Sequence, residues 1–136
     1  MADITVVPAS IRAINERQTI TRKFTAGETM TPGQPVYMSG NDTVSLTDGS
    51  ALTTAACIGV VLSCPDGAAS AAANDEVDVV LFGPVTGYTT NMAVGPVYVD
   101  DDAGILATAT GTITVIVGIG INATTMLVNP QIVAVA

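Results

Sequence analysis

The chain repeats one phrase, Gly33-Gln34-Pro35-Val36-Tyr37-Met38, as Gly95-Pro96-Val97-Tyr98-Val99, with the two Pro-Val-Tyr triplets 61 residues apart. Each phrase is followed by a second matching element, Ile58-Gly59-Val60-Val61 in the first case and Val117-Gly118-Ile119-Gly120 in the second. A glycine near the proline allows the chain to turn tightly into the strand, and proline presets φ at the first residue of the strand. The order of these elements predicts one small β unit that is used twice.

Short strands separated by turn residues are predicted along most of the chain. Thr, Val and Ile are abundant and favour strands, whereas the strong helix formers Leu, Glu, Lys and Arg are scarce. Roughly ten strands at a spacing of about ten residues, with Gly or Pro at the junctions, are typical of a sandwich or barrel. We therefore predict an all-β fold in which residues 28–136 form a single domain, a compact β-sandwich or barrel built from two similar strand units, 28–90 and 91–136.

Several strands can be placed from the pattern. Ala56–Ser63 is a continuous apolar run and is predicted to be buried on both faces. The strand that begins at Glu76 is predicted to end at Gly83-Pro84. Thr112–Ile121 alternates and reads as a long strand, in which Gly118 favours bending or the close approach of a neighbouring backbone.

The formal net charge of −8 is unevenly distributed. Residues 1–27 carry a net charge of +2, and residues 28–136 contain ten acids and no base. An acidic body cannot hold a polyanion, which argues against nucleic-acid binding. We predict that residues 1–27 form an N-terminal arm that docks on an acidic partner surface, although pairing with the chain's own acids is the alternative for its four cations, Arg12, Arg17, Arg22 and Lys23.

Targeting and membrane segments are not expected. Asp3, Pro8 and Arg12 interrupt any early apolar run that could serve as a signal peptide. The longest apolar stretch, Ile113 to Ile121, is far short of the ~20 residues that a membrane-spanning helix requires. We therefore expect synthesis in a cytoplasm and no membrane association.

Side chains that carry out catalysis are scarce. Because the chain has no His, neither a Ser–His nor a Cys–His pair can form. We predict that the protein is not an enzyme and binds no cofactor and no small-molecule substrate, with glycoside cleavage by paired carboxylates as the one enzymatic alternative left open. Cys57 and Cys64 would lie ~20 Å apart along an extended strand, which predicts two buried or half-buried thiols and no disulfide.

The acidic triplet Asp100-Asp101-Asp102 is the candidate metal site. Three carboxylates in one turn could hold Ca²⁺, but their spacing fits no EF-hand. The alternative is a solvated hairpin tip, and we predict this tip and no metal site. Asp75-Glu76-Val77-Asp78 is predicted to be the exposed start of a strand, where charges discourage pairing of edges between molecules.

The repeated phrase at 33–61 and 94–120, together with Glu76–Phe82 followed by Gly83-Pro84-Val85, resembles the head decoration (capsid cement) proteins of tailed bacteriophages. The resemblance covers about residues 26–129 and extends to the acidic, His-free composition rich in small residues. It implies a compact β-sandwich or tulip-like barrel, which forms homotrimers on the outer capsid surface. It also implies an N-terminal arm that lies across the major capsid protein and adds a strand to it.

The resemblance implies a structural virion protein, made in the host cytoplasm, that bridges neighbouring major capsid proteins on the capsid surface. Alternatives are a head or tail fibre module that binds a host surface, with calcium at Asp100–Asp102, and a subunit of a surface layer or compartment shell. Residues 2–25 would be the main anchor. The partner-binding residues predicted within the arm are Ile4, Val6, Arg12, Arg17, Arg22 and Lys23.

Overall fold

The structure, a computed structural model, describes residues 3–6, 8–14, 18–90 and 92–134. Strands dominate these residues, and the one α-helix among them, α1 (Leu52–Ala55), has a single turn. The prediction of an all-β fold is confirmed. The strands are β1 (Asp3–Val6), β2 (Arg12–Ala13), β3 (Ile20–Ala26), β4 (Pro35–Gly40), β5 (Thr43–Leu46), β6 (Cys57–Ser63), β7 (Glu76–Thr86), β8 (Tyr88–Thr90), β9 (Gly95–Val99), β10 (Leu106–Ala107), β11 (Thr114–Gly120) and β12 (Thr125–Ala134).

The first unit is a closed five-stranded barrel. β4 pairs antiparallel with β5 and β6, and β6 pairs antiparallel with β7. β3 joins the two ends, because it pairs parallel with β5 and antiparallel with β7. The barrel encloses a cluster of buried apolar side chains that includes Phe24, Met30, Val36, Val61 and Val79.

The second unit continues the sheet from the far end of β7. β12 pairs with the last residues of β7, and β11, β9, β10, β1 and β8 follow in that order, each antiparallel to the one before. The backbone N–H of Tyr88, in β8, donates to the Thr124 carbonyl beside β12 at 3.1 Å, which brings the two ends of the unit together. Its core includes Val97, Val115, Val117, Met126 and Val128.

β7 is shared between the two units. Its first part pairs with β3 and β6, and from Gly83 onward it pairs with β12 and β2. The prediction that Gly83-Pro84 ends this strand is therefore wrong. Gly83 adopts φ +131, a conformation that favours glycine and lets the strand change partners without ending.

The two units pair their Pro-Val-Tyr strands with their glycine-containing strands in the same register. β4 runs beside β6 as β9 runs beside β11, and both ladders contain one irregularity, directly after the Val–Gly pair. The same local sequence has thus built the same local structure twice. The matched pairs are Pro35–Val60 with Pro96–Ile119, Val36–Gly59 with Val97–Gly118, and Tyr37–Cys57 with Tyr98–Ile116.

Gly59 and Gly118 occupy equivalent positions, at each of which a neighbouring backbone approaches closely. A Cβ atom on Gly59 would lie 1.9 Å from the carbonyl oxygen of Val80, and one on Gly118 would lie 2.2 Å from that of Leu127. No side chain fits at such a separation. The interpretation of Gly118 as a point of close approach is confirmed, and it holds for Gly59 as well.

The described parts of residues 1–27 contribute three strands to the same sheet. β1 and β2 lie in the second unit, and β3 completes the first barrel. The side chains of Ile4, Ile11 and Phe24 are buried in the cores of the two units. The opening segment is therefore part of the body in this conformation, and its docking on a partner stays a prediction.

Replacing Gly59 or Gly118 with alanine should lower the free energy of unfolding by about 3 kcal/mol or more, since the added methyl group meets a backbone oxygen and not a flexible side chain. Gly40→Ala is the matched control, because a Cβ there would lie 3.7 Å from its nearest neighbour. Urea unfolding measures all three variants. Equal losses at Gly40 and Gly59, or no loss at Gly59, would contradict the steric explanation.

Candidate interaction surfaces

The two apolar residues predicted to bind a partner, Ile4 and Val6, pack against the chain's own core. Ile4 is 6% exposed, lies opposite Leu106, and belongs to the core of the second unit. Val6 is half-buried and packs against the same core. In this conformation neither side chain is presented to a partner as an anchor.

The predicted cations are dispersed. Arg12 is exposed on β2 opposite Thr86, and Arg17 lies outside the described residues. Arg22 and Lys23 are neighbours on β3, where both are exposed. Because successive side chains of a strand point to opposite faces, these two cations are adjacent along β3 but do not share a face.

Arg22 and Lys23 each pair with an acid of the same chain. Arg22 Nη2 lies 2.7 Å from Asp42 Oδ1, and Lys23 Nζ lies 3.0 Å from Asp78 Oδ1. The hydrogen bond to Asp78 raises the pKa of Lys23, and the charge of Asp78 acts in the same direction. Exposed pairs of this kind contribute little to stability, so the acids of a partner could replace Asp42 and Asp78 at little cost.

β3 has an open edge beside these cations. β7 pairs along Ile20–Thr25, whereas β5 reaches only Thr25 and Ala26. Within the part of the chain that the structure describes, no strand lies on the other side of residues 20–24. Such an edge presents backbone N–H and C=O groups that can pair with a strand of another chain.

An exposed apolar pair lies at the start of this edge. Ile20 and Phe82 are opposite each other on β3 and β7 and are 59% and 40% exposed. Farther along the strand, the guanidinium carbon of Arg22 lies 4.8 Å from the centre of the Phe24 ring. We call Ile20–Phe24 with Phe82 the β3 surface. Sequence reasoning missed Phe82 as a contact residue, because its wholly apolar run is equally typical of a strand buried on both faces. It also did not single out Ile20, which stands between Thr19 and Thr21.

One residue of the acidic triplet, Asp100, is folded into the body, whereas Asp101 and Asp102 are exposed. Asp100 is 4% exposed, so the prediction of a solvated hairpin tip is wrong for this residue. The Gly49 N–H donates to the Asp100 carbonyl at 2.8 Å, which places a loop of the first unit over the turn. Asp101 accepts hydrogen bonds from the backbone N–H and the hydroxyl of Thr112 at 2.8 and 2.7 Å. Among the described residues, no cluster of three or more acidic or Cys side chains is placed to hold a metal ion.

A pair of carboxyl groups joins β1 to this turn. A hydrogen bond between the Asp3 and Asp100 side chains raises the pKa of Asp3, and loss of hydration and the charges of Asp100 and Asp102 act in the same direction. A negative charge on Asp3 is therefore unfavourable in the folded protein and opposes the docking of β1. The signal for this pair was absent from the sequence, where Asp3 and Asp100 are 97 residues apart.

Both thiols are free and buried, as predicted. Burial raises the pKa of Cys57 to about 12, although its hydrogen bonds with backbone groups act in the opposite direction. The thiolate, which is the nucleophilic form, is therefore suppressed at neutral pH. Cys57 serves as a small apolar residue of the core.

Comparisons of the sequence with protein-family models and with curated proteins give no match. No helix within the described ranges has the length and apolar character needed to cross a membrane. The surfaces of the molecule are therefore the basis for a functional proposal.

Asp3→Asn should raise the melting temperature at pH 7, because it removes a carboxylate that faces Asp100. The pKa of Asp3 is raised in the folded protein, so protonation of Asp3 stabilises the native state. This stabilisation is complete below the pKa of Asp3 in the unfolded chain, and it is lost as the pH rises through the pKa in the folded protein. The gain should therefore shrink toward pH 3.

Asp66→Asn is the matched control for the Asp3 variant, because it removes one negative charge from an exposed turn. Thermal unfolding followed by circular dichroism at pH 3, 5 and 7 compares the two variants with the wild type. A gain for Asp3→Asn that grows toward low pH, or that Asp66→Asn reproduces, would contradict the carboxyl coupling.

Proposed function

We propose that this chain is a structural virion protein that decorates and stabilises the outer surface of a bacteriophage capsid by bridging neighbouring major capsid proteins. The observation that carries the proposal is the β3 surface. It combines an unpaired strand edge with exposed apolar and basic side chains on a body that is otherwise acidic. These features fit the resemblance to capsid cement proteins noted in the repeated phrase.

Docking would add a strand of the major capsid protein to β3. The Thr25 N–H donates to the Asp42 carbonyl across the edge that β5 covers. Because N–H groups two residues apart on a strand point to the same side, the N–H groups of Thr21 and Lys23 point to the uncovered part of that edge. Ile20 and Phe82 supply apolar contact at one end, and Arg22 and Lys23 exchange weak internal ion pairs for acids of the partner.

The composition supports a surface that is covered in the assembled particle. Charged residues make up 12% of the chain, against about 25% in ordinary soluble domains. Low charge and small side chains suit broad, flat contacts between subunits. A homotrimer would present three β3 surfaces at once, so that modest single contacts combine through avidity across the shell.

Single substitutions test the docking better than truncation does. Removal of residues 1–25 would also delete the buried side chains of Ile4, Ile11 and Phe24, so a loss of binding could reflect unfolding. Thr21→Pro removes one N–H from the open edge, where proline is tolerated. Ile20→Asp places an acid at a position that is 59% exposed.

We expect Thr21→Pro and Ile20→Asp each to weaken binding to undecorated heads at least tenfold, or about 1.4 kcal/mol. Leu52→Asp, on α1 and 42% exposed, is the matched control and should bind as the wild type does. Co-sedimentation with purified heads over a range of protein concentrations gives the affinities, and circular dichroism verifies the folding of each variant. The proposal fails if the wild-type protein does not bind heads or if both folded β3 variants bind equally well.

A further inference from the structure

One end of the first barrel opens to solvent beside the free edge of β3. The pairing of β3 with β5 covers only Thr25 and Ala26, so no described strand closes the barrel wall along residues 20–24. A cavity of about 620 Å³ lies at this end, and its lining comes from β3, β4, β6, β7 and β12. We call this cavity the barrel mouth, and its lining includes Arg22, Phe24, Met38, Ile58, Leu81 and Pro130.

The lining of the barrel mouth is mainly apolar and continues into the barrel core. Phe24 is 4% exposed and belongs to that core, and Ile58 and Leu81 are half-buried against it. Met38 is 41% exposed and lies opposite Val44, another residue of the core. Methionine side chains are flexible and adapt to the shape of an apolar partner. The mouth therefore offers an apolar side chain a place to bury itself without any opening of the barrel.

Arg22 brings a positive charge to the rim of the barrel mouth. It lies opposite Val79 as Phe24 lies opposite Val77, and both valines are buried in the barrel core, so Arg22 and Phe24 share the inner face of β3. Among the described residues that line the mouth, Arg22 is the one with a charge. Its ion pair with Asp42 is exposed and can be exchanged. An acid next to an apolar residue would therefore suit this rim.

A strand added to β3 would place every second side chain over the barrel mouth. Thr21 and Lys23 present their N–H groups to the open edge, and successive side chains of a strand point to opposite faces. One set of side chains on the added strand would thus lie beside Arg22 and Phe24, and the other set beside Thr21 and Lys23. A small apolar ligand could enter the mouth, but it would not pair with the strand edge. An extended peptide segment fits both features.

We propose that the barrel mouth selects which strand β3 takes up. The strand it fits is an extended segment in which apolar side chains alternate with polar ones, and at least one of the polar side chains is an acid. The apolar set fills the mouth, and the acid pairs with Arg22 or Lys23. The inference rests on the proposed function, since it specifies the segment of the major capsid protein that would dock, but peptides alone can test it.

Fluorescence anisotropy with two fluorescein-labelled peptides tests the selection. One peptide alternates Leu with Glu, and the other has the same composition with its Leu residues consecutive, so both carry the same charge. We expect the wild type to bind the alternating peptide roughly tenfold more tightly. Met38→Asp places an acid in the mouth and should remove this preference, whereas Met38→Leu should keep it. Leu52→Asp, on α1 and 42% exposed, adds the same charge elsewhere and should bind as the wild type does.

Equal binding of the two peptides by the wild type would overturn the inference, as would an unchanged preference in a Met38→Asp protein that circular dichroism shows to be folded. The head-binding experiment separates this failure from that of the proposed function. Heads that bind Thr21→Pro weakly but Met38→Asp as tightly as the wild type overturn the role of the mouth alone. A peptide preference that depends on Met38, in a protein that does not bind heads, supports the mouth and removes the capsid role.

Discussion

Two glycine–carbonyl contacts set the geometry on which the rest of the structure depends. At Gly59 and at Gly118 one strand passes so close to the carbonyl oxygen of its neighbour, at Val80 or Leu127, that a side chain is excluded. Glycine in a strand interior costs roughly 0.5–1 kcal/mol relative to alanine, and the chain carries this cost at the same place in both units. The contacts fix how β6 pairs with β7 and how β11 pairs with β12. They therefore determine which side chains of each unit face inward.

The opening segment and β7 join the two units into one body. β3 closes the first barrel, while β1 and β2 complete the second unit, so the residues with the highest density of positive charge are also structural. β7 passes from one unit to the other at Gly83. The open edge of β3 forms only when β3 has joined the first barrel. The surface that we propose for docking therefore belongs to the folded body and does not lie on a detached arm.

The sequence was sufficient for features set by local chemistry. Turn residues, β-branched side chains and alternation predicted the all-β fold, and the repeated phrase marked the two strand pairs, β4–β6 and β9–β11, that share a register. The sequence was insufficient where the burial of a residue depends on which distant part of the chain packs against it. Val60 and Ile119 stand in the same local phrase and the same register, yet one is fully buried and the other is 49% exposed, because a second unit covers only the first of them. Asp100 is buried for a similar reason, since its neighbours come from a distant loop.

We propose that the protein works by covering and joining the subunits of an assembled particle. Fractionation of native particles by density tests it most directly, with quantitative detection of this chain and of the major capsid protein in each fraction. We predict that the chain travels with DNA-filled heads in a fixed ratio to the major capsid protein and remains there after washing. Recovery of the chain only in the soluble fraction, while the major capsid protein sediments, would contradict the claim.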